Sequence, residues 1–165
     1  MGVDIHMYII RGKEAVKKNI FEGRNSEWFH DLQGDGWKDE YDNLPRHWGI
    51  PDEVPEYIQE DYDKSRENGY YGFNYVNVAD YIEWFEKYRP DKDAGWVSTY
   101  DAWRIKNKGY VPEDPMHYLD KDINKEDYIF MDFENPYDCG KWLYDYIYSQ
   151  NEIRGSDTII YYFDC

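Results

Sequence analysis

The chain of 165 residues carries 35 acidic and 19 basic side chains, which gives a formal net charge of −16. This length suits one domain, and the charge disfavours direct nucleic-acid binding because affinity for phosphates comes from Lys and Arg. Aromatic residues make up 20% of the chain, and each ring can bury roughly 150–250 Å². We therefore predict a folded protein with an aromatic-rich core, not the disordered chain that such a charge would otherwise suggest.

Targeting signals are missing from the sequence. It has no apolar stretch as long as the ~20 residues that a membrane-spanning helix needs, and the apolar run 7–10 is too short for a secretory signal. Cys139 and Cys165 have no metal-type spacing and make no disulfide framework. We expect a protein of the reducing cytoplasm, with no membrane partner.

The N-terminal residues predict a β-hairpin. Alternation over Val3–Arg11 indicates a strand with two distinct faces. One face carries Val3, Ile5, Met7 and Ile9, and the other carries Asp4, His6, Tyr8 and Ile10. Gly12-Lys13 can turn the chain into a second strand at about 15–21.

A short helix and a long loop are predicted next. Ser26 is a suitable helix cap, and the helix that follows would carry Trp28, Phe29 and Leu32 and end at Gly34. Residues 34–51 contain five Gly or Pro residues, which favours a loop.

The middle of the chain predicts two helices separated by a strand. Residues 52–67 match an amphipathic helix whose inward side chains are Val54, Tyr57, Ile58 and Tyr62. A strand is predicted at 70–76. Asn77 then caps a helix that ends before Pro90, whereas residues 95–130 show no clear pattern.

The C-terminal residues predict a helix and a strand. Asn135-Pro136 provides a cap and first turn for a helix that runs to about Gln150. The β-rich segment Thr158–Phe163 would be an aggregation hazard as a free edge, and the best partner in the sequence is the first strand. The fold class is therefore α+β over residues 1–165, a single domain whose small antiparallel sheet contains both terminal strands and packs against several helices.

Acidic residues are concentrated in two segments. In residues 52–67 five carboxylates recur every three or four residues, and we call this set the acidic stripe: Glu53, Glu56, Glu60, Asp63 and Glu67. On a helix they share one face, with a charge every ~5 Å at ~1.5 Å rise per residue, against ~3.4 Å per strand in DNA. Residues 113–138 contain nine acidic and two basic residues. We call the candidate contact residues in this segment the second acidic cluster: Asp120, Asp122, Glu126 and Asp127.

Each acidic segment has two interpretations. A solvated helix face in an acidic protein explains the pattern without a partner. The alternative is an interface for a cationic partner, because like charges at this spacing weaken a helix by a few tenths of a kcal/mol per pair. Rings such as Trp48 or Tyr57 would then pack at the contact.

A metal site is the second chemical possibility. Asp4 and His6 share one strand face, and Asp164 would join them if the terminal strands pair. Such a D-x-H pair is what binuclear phosphoesterases use to begin a metal site, with His47 or His30 as a further ligand. A divalent metal there would polarise a phosphoryl oxygen and supply hydroxide. A polar pair at the sheet edge, with no metal, explains the same residues.

The opening Met1-Gly2-Val3-Asp4-Ile5-His6 resembles a family of uncharacterised bacteriophage and prophage proteins that begin M-G-C-D-I-H. Further counterparts are Arg24-Asn25 with Trp28-Phe29, Gly49-Ile50-Pro51-Asp52, and Tyr161-Tyr162-Phe163-Asp164. Val3 replaces the family's Cys, Cys165 its final Asn, and Tyr70–Asn74 its His-Ser-rich segment. The resemblance implies a phage or prophage origin and no particular activity.

Charge and resemblance together favour a non-catalytic phage accessory protein without a cofactor. Its partner would be a host nucleic-acid-binding protein with a basic groove, such as a CRISPR effector or restriction enzyme. The alternatives are a metal-dependent phosphoester or nucleotide hydrolase that uses Asp4 and His6, and a nucleotide-sequestering module with stacking aromatics.

Overall fold

The computed structural model describes residues 4–24, 28, 32, 44–68, 72–112, 115–135 and 140–164. In chain order these residues form β1 (Asp4–Arg11), β2 (Glu14–Gly23), β3 (His47–Trp48), α1 (Glu56–Asn68), β4 (Asn74–Asn77), α2 (Val78–Tyr88), β5 (Lys92–Ser98), α3 (Thr99–Lys108), a 3-10 turn (Lys125–Asp127), β6 (Tyr128–Glu134), α4 (Gly140–Ser149) and β7 (Thr158–Asp164).

The described residues are α+β, as predicted, and their contacts group the chain into two compact units. The first unit is Met1–Tyr88 with Cys139–Cys165, and the second is Arg89–Asp138. The first contains an antiparallel five-stranded sheet in the order β2-β1-β7-β4-β3. That residues 1–165 form a single domain stays a prediction.

The two faces of β1 enter two different cores, as its alternation predicts. Ile5, Met7 and Ile9 join the larger core, to which α2, α4 and β7 also contribute. Tyr8 and Ile10 pack on the opposite side of the sheet, against α1. Helices therefore cover both faces of this sheet, and each face has its own set of buried side chains.

Both terminal strands lie in this sheet, which confirms their predicted pairing. β1 and β7 are antiparallel, with a register that runs from Asp4 opposite Asp164 to Ile10 opposite Thr158. β7 also pairs with β4 on its other side, so β7 is an interior strand and has no exposed edge within the described sheet.

Three predicted boundaries differ from the structure. α1 begins at Glu56 and not at residue 52. Pro55 disfavours helical backbone at Val54, the residue that precedes it, so the helix cannot start earlier. β4 begins only at Asn74. The predicted loop 34–51 contains the short strand β3.

Other predicted elements are confirmed or lie outside the described residues. The side-chain oxygen of Asn77 accepts the Ala79 N–H at 2.9 Å, so Asn77 caps α2 as predicted. Trp28 and Leu32 are helical and buried, whereas the Ser26 cap, Phe29 and the segment 33–43 lie outside the described residues. Pro136 of the predicted cap is also outside them, and α4 is described from Gly140.

The second unit contains the elements that the sequence left unassigned. β5 and β6 form a two-stranded antiparallel sheet, and α3 packs on one face of it through Val97, Ala102 and Phe133. Ser98 caps α3 by accepting the Asp101 N–H, and Gly109 ends it in the left-handed conformation.

Glycine is required at position 72 by the backbone conformation there and by the close approach of Phe163. Its φ is +95°, and an added Cβ would lie 2.7 Å from Cδ2 of Phe163. We expect Gly72→Ala to lower the free energy of unfolding by about 1–3 kcal/mol. Gly109→Ala is the matched control: φ is +63° with no atom within 4 Å of the added Cβ, so only conformational strain remains. Chemical denaturation measures the free energy of unfolding of both variants. An equal loss in the two would show that the contact with Phe163 does not exclude a side chain at position 72.

Candidate partner-binding surface

α1 is fixed to the sheet by its inward face. Val54 and Ile58 are buried in the core that also contains Tyr8 and Ile160. The ring of Tyr62 meets that of Phe73 edge-on at 5.3 Å. The inward residues predicted for this segment are confirmed, and the packing gives α1 a defined orientation on the sheet.

The outward face of α1 presents the acidic stripe. All five carboxylate residues are exposed. Glu53 precedes the helix, so four of the five lie on α1 and span roughly 16 Å of its axis at ~1.5 Å per residue. Among the described residues no Lys or Arg forms an ion pair with these carboxylates; Asp63 accepts a hydrogen bond from Gln59 at 3.0 Å.

The second acidic cluster lies in the second unit. Its four residues are exposed, and Glu126 and Asp127 form part of the 3-10 turn. Asn124 caps this turn by accepting the Glu126 N–H at 3.2 Å. The acidic stripe and the second acidic cluster therefore belong to different units of the chain.

The two rings proposed for the contact have different environments. Trp48 is 68% exposed, and the guanidinium of Arg46 stacks over it at 4.7 Å. Tyr57 instead packs inward against Tyr8 at 5.8 Å, with Lys18 over its ring. Burial raises the pKa of the Tyr57 hydroxyl. Of these two rings, Trp48, on the edge strand β3, is therefore the one exposed for contact with a partner.

Asp4 and Asp164 of the predicted metal site are close in the backbone, and the side chains of Asp4 and His6 already contact other groups. Asp4 lies opposite Asp164 in the β1–β7 register. Its carboxylate accepts a hydrogen bond from Nε of Arg24 at 2.5 Å, and this contact lowers the pKa of Asp4. The His6 ring stacks on Tyr162 at 4.8 Å, and its Nδ1 lies 3.8 Å from Glu22. Within the described residues no group of three or more His, Cys, Asp or Glu is arranged to hold a metal ion.

The additional ligands considered for that site are not brought to it. His47 lies on β3, three strand spacings from β1 in the sheet order, which is about 14 Å at 4.7–4.9 Å per spacing. Its ring stacks on Tyr75 at 5.0 Å. His30 lies outside the described residues.

An aromatic and cationic surface on α3 was missed by the sequence analysis. Tyr100 and Trp103 are 66% and 50% exposed, and their rings stack at 6.4 Å. Arg104 lies over the ring of Tyr110 at 3.7 Å and forms an ion pair with Asp101. The spacing of these residues at i, i+3 and i+4, after the cap at Ser98, is the signal that predicts them on one surface.

No protein-family model, curated protein or solved structure matches the chain. Among the described residues no helix has both the length and the apolar character to cross a lipid bilayer.

Proposed function

We propose that this protein is a non-catalytic inhibitor that binds the basic groove of a nucleic-acid-binding enzyme in place of nucleic acid. The supporting observation is the outward face of α1. It presents exposed carboxylates at regular intervals, and no described Lys or Arg forms an ion pair with them. Because the inward face of α1 is packed on a sheet, these charges are arrayed on a fixed support before binding.

Electrostatics determine how such an inhibitor recognises its partner. A net charge of −16 accelerates encounter with a basic surface and repels nucleic acid itself. The four helical carboxylates supply the contact, and Trp48 supplies an exposed ring in the same unit. The resemblance to phage and prophage proteins supports a host defence enzyme, of the CRISPR or restriction class, as the target in the host cytoplasm.

Charge reversal on α1 tests the proposal. We expect Glu56→Lys with Glu60→Lys and Asp63→Lys to reduce capture of the host partner at least ~10-fold. The midpoint of thermal unfolding should stay equal or rise, because like-charge repulsion along the helix is removed. The measurement is a pull-down from host lysate at low and high salt, with duplex DNA added as a competitor.

A charge-matched control separates local recognition from total charge. Glu14→Lys with Asp80→Lys and Glu83→Lys changes the net charge equally, since each reversal adds two charges, and these three residues are exposed and off α1. This control should retain capture, and salt or duplex DNA should release the partner from the parent protein. Equal capture by the parent and the α1 variant would show that the acidic stripe is not the interface.

A further inference from the structure

The second unit exposes more large apolar side chains than it buries. Five of the eight exposed large apolar residues of the described chain belong to it: Tyr100, Trp103, Tyr118, Ile129 and Phe130. The hydrophobic core of its described part contains three buried side chains. A two-stranded sheet is marginally stable on its own, so pairing with an additional strand would increase the stability of this unit.

β6 offers an edge for that strand. Among the described residues β6 pairs with β5 along one side and has no partner along the other. Its sequence, Tyr-Ile-Phe-Met-Asp-Phe-Glu, contains no Pro or Lys of the kind that block pairing at natural edges. Ile129 and Phe130 are 39% and 53% exposed. An apolar edge of seven residues is a template for pairing with another chain.

We propose that β6 pairs antiparallel with β6 of a second copy of this chain. The two units then share a four-stranded sheet in the order β5-β6-β6-β5. Pairing a strand with itself is an isologous contact with two-fold symmetry, which closes at a dimer. The two-fold axis passes through Met131, so that Met131 lies opposite Met131 of the second copy.

The apolar side chains of β6 suit this register. Ile129, Met131 and Phe133 share the sheet face that packs against α3, since they pair with Val97, Gly95 and Asp93. The register places Ile129 opposite Phe133 of the second copy, which extends the core of each unit across the axis. On the other face the two copies of Phe130 are diagonal neighbours, within reach of each other for aromatic side chains.

The charges of β6 permit pairing with a second copy. Asp132 falls opposite Phe130 and Glu134 opposite Tyr128, so no carboxylate faces another directly across the strands. Glu134 is already paired with Lys92 within its own copy. The two copies of Asp132 are diagonal neighbours, so the apolar side chains of β6 favour this register and its charges permit it. The acidic stripe belongs to the other unit of the chain, so this proposal is independent of the proposed function.

The mass of the purified full-length protein tests the proposal. We expect sedimentation velocity to give twice the 20.1 kDa mass of the chain. Phe130→Asp places a carboxylate directly opposite Asp132 of the second copy, once on each side of the axis, and should weaken the dimer at least ~10-fold. Tyr118→Asp is the matched control, because Tyr118 is 77% exposed in the same unit but is not on β6, and it should remain dimeric.

Cysteine crosslinking tests the register without disturbing the charge. In a background of Cys139→Ser and Cys165→Ser, Met131→Cys should form a disulfide-linked dimer on oxidation, because directly opposite residues are about 4.5–5.5 Å apart at Cβ. Ile129→Cys lies opposite Phe133 and should not crosslink. A parent that stays monomeric at all concentrations, as it would if a different protein or peptide occupies this edge, overturns the proposal. A Phe130→Asp protein that still dimerises, or crosslinking by Ile129→Cys alone, also overturns it.

Discussion

Removal of residues 158–165 is expected to abolish cooperative unfolding of the first unit. These residues include β7, which lies between β1 and β4. Ile159, Ile160 and Tyr161 are fully buried and Phe163 is 7% exposed. Burying four such side chains contributes about 6–12 kcal/mol, which is comparable with the ~5–15 kcal/mol stability of a whole domain.

The loss extends beyond the side chains of β7. Ile160 belongs to the core beneath α1, whereas Ile159, Tyr161 and Phe163 belong to the core beneath α2 and α4. Deletion therefore opens both faces of the sheet and removes the backbone partner of β1 on that side. No other described strand is placed to replace β7, so the remaining residues lose the centre of the sheet.

Circular dichroism during thermal unfolding measures this effect. The truncated chain should lack the near-ultraviolet signal of packed aromatic rings and should show no sharp transition. A chain that lacks only Cys165 is the control, because it keeps the whole of β7, and it should melt close to the parent temperature. A truncated chain that melts cooperatively near the parent temperature would show that β7 is dispensable.

The sheet was predictable where local pattern and burial agree. The period-two alternation of β1 specified which side chains share each face, because one face of a strand cannot exchange with the other without a shift in register. The pairing of the terminal strands followed from the apolar character of Thr158–Phe163, which excludes a free edge. Both inferences need only the physics of burial.

The elements β5 and α3 of the second unit were not predicted, because they adjoin without a break. β5 ends at Ser98 and α3 begins at Thr99, so the period changes from two to 3.6 with no Gly or Pro to mark the boundary. The Ser98 cap was the available signal. The start of α1 was misplaced for a different reason, since the acidic periodicity begins at Glu53, before Pro55, whereas the helix begins only at Glu56.

The candidate surface was predictable in part. Exposure of the acidic stripe follows from the rarity of unpaired buried carboxylates. The inward position of Tyr57 follows from the helical periodicity that places it with Val54 and Ile58, and this local pattern argues against Tyr57 as a contact ring. The exposure of Trp48 depends instead on the pairing of β3 with β4, a long-range contact that no local pattern contains.

Arg11→Met is expected to destabilise the first unit more than loss of any surface ion pair. The carboxylate of Asp157 is fully buried, and Arg11 meets it with two hydrogen bonds, Nε to Oδ1 at 2.8 Å and Nη2 to Oδ2 at 3.0 Å. The Arg154 N–H donates to the same carboxylate at 2.8 Å. Removing the guanidinium leaves a buried charge without a counter-ion. We expect a loss of about 3 kcal/mol, the lower end of the range for breaking a buried pair, because the Arg11 side chain is 32% exposed.

The pH dependence of this loss identifies its cause. Burial acts to raise the pKa of Asp157, but the hydrogen bonds from Arg11 and Arg154 outweigh it and lower the pKa below its ordinary value. A carboxylate with a lowered pKa in the folded state stabilises the protein above its unfolded-state pKa, ~3.9 for Asp, and this contribution disappears as the pH falls through the folded-state value. The difference in unfolding free energy between parent and Arg11→Met should therefore be full at neutral pH. It should shrink as acid protonates Asp157, first in the variant, where burial is no longer opposed by Arg11, and then in the parent.

Two further variants make the test specific. Arg11→Met combined with Asp157→Asn removes the buried charge and should recover part of the lost stability, because the amide oxygen can still accept the Arg154 N–H. Lys141→Met breaks an exposed pair with Asp145 on α4 and should change the unfolding free energy little, since exposed pairs contribute little. Urea denaturation at several pH values measures all of these quantities. If Arg11→Met is no more destabilising than Lys141→Met, or if its effect does not change between pH 7 and pH 3, the Arg11–Asp157 pair does not stabilise the first unit through charge.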